Sequence, residues 1–183
     1  MTYEVDIKDA ATLPLQRKIA ACSGRRLNGF IGPAVARLTR NNFRSLPTNK
    51  DGYPSTHFWA GAANSTSWTE LPEGVLISVS QIGVRQRYQG GEIHAVNASA
   101  LTVPVSAQAY GHVAADFPGS FLLKTKKGAW IVQYGGGRHT DSTLEFLYKL
   151  ETSVTQDANP NVLPSDEAIT ETALAAAEKA VAT

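Results

Sequence analysis

The sequence predicts an α+β fold: N-terminal helices packed on a central antiparallel β-sheet, with a C-terminal helix. Three observations predict it. A helical apolar stripe runs through residues 27–46, period-two alternation recurs from residue 65 onward, and a capped, alanine-rich segment closes the chain. The alternating segments are joined by short turns, which favours antiparallel pairing.

In order along the chain, "TYEVDIK" alternates at Tyr3, Val5 and Ile7 and reads as a half-buried strand. Asp9 stands as an N-cap before a short helix through Leu13, Leu15, Ile19 and Cys22, with Pro14 in its first turn and Gly24 as its stop. A longer helix spans about Leu27 to Leu46. Its apolar stripe is Ile31, Val35, Leu38 and Phe43, while Arg37, Arg40 and Arg44 fall towards the other face. Residues 47–66 are dense in Pro, Gly, Asn and Ser and read as a long loop. Its Tyr53, Phe58 and Trp59 either anchor an interface or tuck into the domain's own core.

The β region opens with a hairpin turning at Pro72-Glu73-Gly74. "ALTVPVSA" is an edge strand, because Pro104 cannot donate to a ladder. "SFLLKTKKGAWIVQYG" is a hairpin with Lys127-Gly128 at its turn, and a further strand runs through Leu144, Phe146, Tyr148 and Leu150. Ser165 caps the last helix, with Asp166 and Glu167 in the first turn, where the helix dipole favours acids. Its thin alanine face wants a partner surface. The expected division is a domain at 1–160, with the loop at 47–66, and a C-terminal helical extension at 161–183.

Of the 183 residues, 43% are hydrophobic and 18% charged, enough for one modest core with a largely neutral polar surface. That suits either an ordinary domain or one covered by neighbours. The net charge of +1 rules out a polyelectrolyte character. Its distribution is uneven: residues 1–50 hold nine Lys/Arg against three Asp/Glu, and residues 151–183 hold one Lys against six acids. Such a chain either binds nucleic acid through its first part or pairs end to tail with its own copies; alternatively one helix has a solvated basic face. A single Cys22 in an apolar context excludes an intrachain disulfide and a thiolate metal site. No apolar run reaches membrane-spanning length and "MTYEVDIKD" does not read as a signal peptide, so a soluble, reducing compartment is expected.

The segment "VRQRYQGGEIHAV" at 84–96 holds arginines, a glycine pair, a glutamate and a histidine. It lacks the G-x-x-x-x-G-K-[ST] or G-x-G-x-x-G spacing of a phosphate cradle, and Gly90-Gly91 reads as a tight turn before a strand. "YGGGRHTD" at 134–141 reads as a β-loop, or as an anion nest of backbone N–H groups. His57, His94, His112 and His139 stand in no metal-binding spacing. His112 and Asp116, four positions apart, come nearest to an acid–base pair, and only if that stretch is helical; otherwise the histidines read as satisfied surface or core residues. No nucleophile elbow or telling carboxylate pair appears, so no catalytic residue, metal or cofactor is expected.

In this order of elements the chain resembles the virion-morphogenesis proteins of long-tailed phages, the tail-completion or neck proteins. "IGPAVARLTRNNFRSLPTNKDGYPSTHFW" carries the likeness first. "VRQRYQGGEIHA" follows, where Tyr88, Gln89, Gly90 and Gly91 match a [Y/H]-Q-x-G-G stretch. "YKLETSVTQDANPNVLPSDEAITETALAAA" is similar to the family's C-terminal half. The likeness covers most of residues 27–180 and departs at a polar insert, 95–118, and at the glycine-rich 134–139. It implies a non-enzymatic structural virion protein of the head–tail junction, a homo-oligomeric ring around the DNA channel. Expected partners are the portal or connector and the tail-tube or tail-terminator proteins, with non-specific contact to genomic DNA and no membrane. The expected location is the virion neck, with host cytoplasm during assembly. Arg37, Arg40 and Arg44 are the candidate DNA- or partner-facing residues, and Tyr53, Phe58 and Trp59 the candidate interface. A tail-terminator or connector ring is the alternative within the class. Outside it stands a small hydrolase or ligand-binding protein using His94, His112 or the Gly135–Gly137 loop.

Overall fold

The computed structural model describes residues 24–47, 53–135 and 143–182. The strand expected at 3–7, the short helix at 13–22 with Cys22, the loop residues 48–52 and the glycine-loop residues 136–142, including His139, lie outside them. The class is α+β; among the described residues a helix precedes the strands, a helix follows them and every strand pairs antiparallel. The strands divide into sheets of two, two and four.

The described residues form two compact units. The first comprises residues 24–44, 62–81 and 163–182, so the C-terminal helix belongs with the first helix and hairpin. Helix α1, Gly24–Ser45, buries Asn28, Gly32, Val35, Ala36, Thr39 and Phe43. These recur at three- and four-residue intervals and make a single face. Gly24, expected as a stop, is instead the first residue of α1. Pro33 also lies inside α1. It and Gly29 are exposed, which leaves to water the Gly29 carbonyl that Pro33 has no N–H to engage.

The hairpin of β1 (Thr66–Leu71) and β2 (Gly74–Val79) packs on that face. A Cβ at Gly32 would overlap the indole of Trp68, so the contact requires glycine. Polar groups fix the register. Asn28 Nδ2 donates to the Leu71 carbonyl at 3.3 Å, and Arg40 donates from Nε at 3.3 Å and Nη2 at 2.8 Å to the Thr66 carbonyl. Buried Thr39 returns its hydroxyl to the Val35 carbonyl at 3.0 Å. Among the described residues no buried side-chain nitrogen or oxygen lacks a partner. The final helix, α4 (Asp166–Ala182; α2 and α3 follow below), starts where expected. Ser165 Oγ accepts the Ala168 N–H at 3.3 Å, and α4 buries Ala176 and Ala180.

The second unit comprises residues 45–47, 53–61, 82–135 and 143–162. The chain passes between units within helix α2, Phe58–Asn64, which corrects the expectation of a loop through 47–66. Ser55 Oγ accepts the His57 N–H at 3.2 Å, His57 takes a left-handed φ of 53°, and its carbonyl receives the Gly61 N–H at 2.9 Å. Alanines 60, 62 and 63 then sustain the turn.

Helix α3 (Val84–Gln89) leads through Gly90 into β3 (Gly91–His94), which pairs with β8 (Ser153–Gln156). The larger sheet has the order β4-β7-β6-β5, with β4 Leu101–Pro104, β5 Phe121–Thr125, β6 Gly128–Tyr134 and β7 Leu144–Glu151. Strand β4 is an edge, as Pro104 demands. The hairpin turn falls at Lys126-Lys127, with Thr125 opposite Gly128. Ile131 pairs with Tyr148 and Val132 with Phe146, leaving Leu147 as the extra residue of a β-bulge. The bulge sends adjacent Leu147 and Tyr148 into one cluster with Ala109, Phe117 and Ile131. It therefore breaks the expected line of inward residues, and Leu144 and Phe146 are exposed.

Candidate functional site

The three arginines on α1 have different surroundings. Arg40 spends its fork on the Thr66 carbonyl and holds the hairpin. Arg37 is exposed, and no hydrogen bond or ion pair engages it among the described residues. Arg44 is exposed in the last helical turn, where the helix dipole favours a cation. Arg37 and Arg40 line a cleft of about 640 Å³ together with Phe30 and Pro33 of α1 and Ala175 and Lys179 of α4; Arg44 is not part of it. The cleft thus has three cationic side chains over an apolar lining. Phe30, at its edge, keeps 39% of its surface exposed. Lys179 and Phe30 were not singled out from the sequence. The available signal was a lone lysine in an acidic helix, but its approach to Arg37 joins residues 142 positions apart.

Another face of α4 bears the opposite charge. Glu167, Glu171, Leu174 and Glu178 recur at four, three and four residues and are all exposed, with Leu174 at 60%. Glu167 titrates below its ordinary value, because its own backbone N–H and Ser165 hydrogen-bond to the carboxylate.

The candidate interface aromatics divide. Trp59, 8% exposed, is buried in the chain's own core, the second of the two readings for it. Phe58 stands edge-on to it at 4.8 Å, and the Arg87 guanidinium lies 4.2 Å above the Phe58 ring and 5.4 Å from that of Trp59. Tyr53 packs edge-on to Tyr110 at 5.2 Å. None of the three forms a continuous exposed aromatic surface with the others.

The segment 84–96 uses its polar groups internally. Arg85 donates to Gln89 Oε1 at 2.9 Å, Gln86 donates to the Gly90 carbonyl at 3.0 Å, and the Arg87 carbonyl accepts the Asn159 N–H at 3.1 Å. Gly90 has φ 68°, and a Cβ there would stand 2.5 Å from the backbone nitrogen of Ala158. The glycine is needed for both a left-handed backbone and a close approach of two chains. Gly91, at φ 111°, has more room.

The histidines stay dispersed. His57 turns the chain into α2, and His94 Nε2 lies 3.4 Å from Glu92 Oε2 on exposed β3. His112 Nδ1 lies 3.4 Å from Asp116 Oδ2, a pairing made by a turn rather than by the helix it would ordinarily need. The Asp116 carboxylate also accepts the Val113 N–H at 3.0 Å. Nearby Tyr148, 2% exposed, donates to the Ala109 carbonyl at 3.1 Å; burial, and then the charge of Asp116, raise its pKa. Glu145 accepts from Gln133 at 3.0 Å and Gln108 at 2.9 Å, and these bonds lower its pKa. Gly135 ends β6 with its N–H on the Thr143 carbonyl at 2.9 Å, while Gly136 and Gly137 lie outside the described residues. Among the described residues no three His, Cys, Asp or Glu side chains gather to hold a metal, and no helix is long and apolar enough to cross a membrane. Compared with protein-family models, with curated proteins and with solved structures, the chain finds no match.

Proposed function

We propose that this chain is a structural virion protein of a long-tailed phage, acting in tail completion or head–tail joining as one subunit of a neck ring around the DNA channel. The observation that supports it best is the opposition of charge on exposed faces of the first unit: the cationic cleft at Arg37, Arg40 and Lys179, and the acidic stripe at Glu167, Glu171 and Glu178. Opposed faces of this kind orient and register protein association. Edge strands β4 and β5, and side chains such as Ile82 and Val96 at 91% exposure, offer further surface for neighbours.

The portal or connector and the tail-tube or tail-terminator proteins are the partners in this reading, with Arg37 and Arg44 free to meet neighbouring protein or the phosphates of transiting DNA. A tail-terminator or connector ring uses the same surfaces. Of the residues named in the hydrolase reading, His94 and His112 each lie beside one exposed carboxylate and stay apart, while Gly136 and Gly137 lie outside the described residues. Disrupting the gene in the encoding phage tests the proposal. Filled heads and complete tails should accumulate unjoined, and supplying the chain in trans should restore joining. Normal yields of joined particles without the chain would overturn the reading.

A further inference from the structure

The acidic stripe and the cationic cleft match in more than sign. On a helix of 100° per residue, Glu167, Glu171, Leu174 and Glu178 span an arc of about 60°, centred about 120° from the edge that α4 gives the cleft. One helix therefore contributes to both surfaces without either obstructing the other. Each surface also has an exposed apolar side chain, Leu174 within the stripe and Phe30 at the cleft. The stripe sets three carboxylates around a leucine, and the cleft sets three cations beside a phenylalanine.

We infer that the occupant of the cleft is a second copy of this chain, which docks the Glu167–Glu171–Leu174–Glu178 face of its α4 against Arg37, Arg40 and Lys179 of its neighbour. The inference rests on the reading of the chain as a multi-copy neck part, and names the interface between copies. Each contact joins two different patches, so the association is head to tail and builds a ring when the rotation closes. Duplex DNA is the competing occupant. It is disfavoured by the apolar lining and by the exposed Leu174 that a phosphate backbone would leave uncovered.

Charge exchange in the full-length chain tests this, read by sedimentation velocity over a concentration series. Arg37 and Glu171 are exposed, so Arg37→Glu and Glu171→Arg should leave the circular dichroism spectrum unchanged. Each should weaken self-association about tenfold or more, and the double variant should recover most of the loss. Mixing the two single variants should restore association, with the two variants alternating. A wild-type chain that stays monomeric up to the solubility limit would overturn the inference, as would single variants that associate normally. So would duplex binding that Arg37→Glu abolishes while self-association stays intact. The two readings fail separately. Particles that need the chain but tolerate both single variants would overturn the interface alone. Charge-exchange behaviour in a chain the particle does not need would overturn the neck assignment alone.

Discussion

The two units hold themselves together differently. In the first, a helix lies on a hairpin through a glycine-sized gap and two polar anchors, Asn28 and Arg40, and much of its charge faces outward. In the second, backbone constraints dominate: a left-handed glycine against a crossing chain, a bulge that turns two neighbours inward, and a tyrosine hydroxyl on a carbonyl. Its charges are largely engaged in place, Arg87 over Phe58, Glu145 by two glutamines, and Lys149 beside Glu151. The contrast teaches that charge and architecture are partitioned. The second unit engages many of its charges within itself, and the first carries opposed charges on exposed faces.

The largest expected effect tests the scaffold. Gly90→Ala adds both left-handed strain and a backbone collision, and should cost about 2–4 kcal/mol in urea unfolding. Gly91→Ala, with only the strain, should cost about 1–2 kcal/mol. Equal effects would mean that the close approach to Ala158 contributes nothing. In the first unit, Gly32→Ala should destabilise by about 1–3 kcal/mol through overlap with Trp68. Helix propensity alone would instead stabilise it by about 1 kcal/mol, so the sign of the change decides.

A smaller effect belongs to Tyr148. Tyr148→Phe removes its bond to the Ala109 carbonyl and should cost about 1 kcal/mol. The same residue sets a pH dependence. Its raised folded pKa means that its contribution is complete below the ordinary tyrosine value, about 10, and is lost as pH rises through the folded value. Glu145 acts at the other end. Its lowered folded pKa gives a contribution present above the ordinary glutamate value, about 4.3, and lost as pH falls through the folded value. Thermal unfolding across pH should show the alkaline loss vanish in Tyr148→Phe and the acid loss shrink in Glu145→Gln. An unchanged acid limb in the latter would remove Glu145 from the account. The smallest stability effect is predicted at Arg37→Glu, within about 0.5 kcal/mol of wild type. A large loss there would make Arg37 part of the scaffold rather than of the partner surface.

Both hairpins were legible because their alternation is bounded by short turns, and α4 because Ser165 and the following acids mark its start. The centre of α1's buried face was not, since Asn28, Gly32 and Thr39 carry it, and small or polar residues leave no apolar signal. Helix α2 is hidden because seven residues rich in alanine and aromatics, preceded by Pro, Ser and Thr, read as loop. Period-two reasoning missed Leu147 because a bulge resets the phase, and nothing in "EFLYK" announces one. Arg37 and Arg40 could be chosen from the helical wheel alone. Their companionship with Lys179 could not, because only the fold brings α1 and α4 to one cleft.

The proposed function has the chain work by association within a virion. Imaging intact particles of the phage proposed to encode it, with the chain labelled by an antibody fragment, tests this most directly. The account predicts several copies arranged about the DNA channel where head meets tail. Finished, infectious particles that contain no copy of the chain would contradict it.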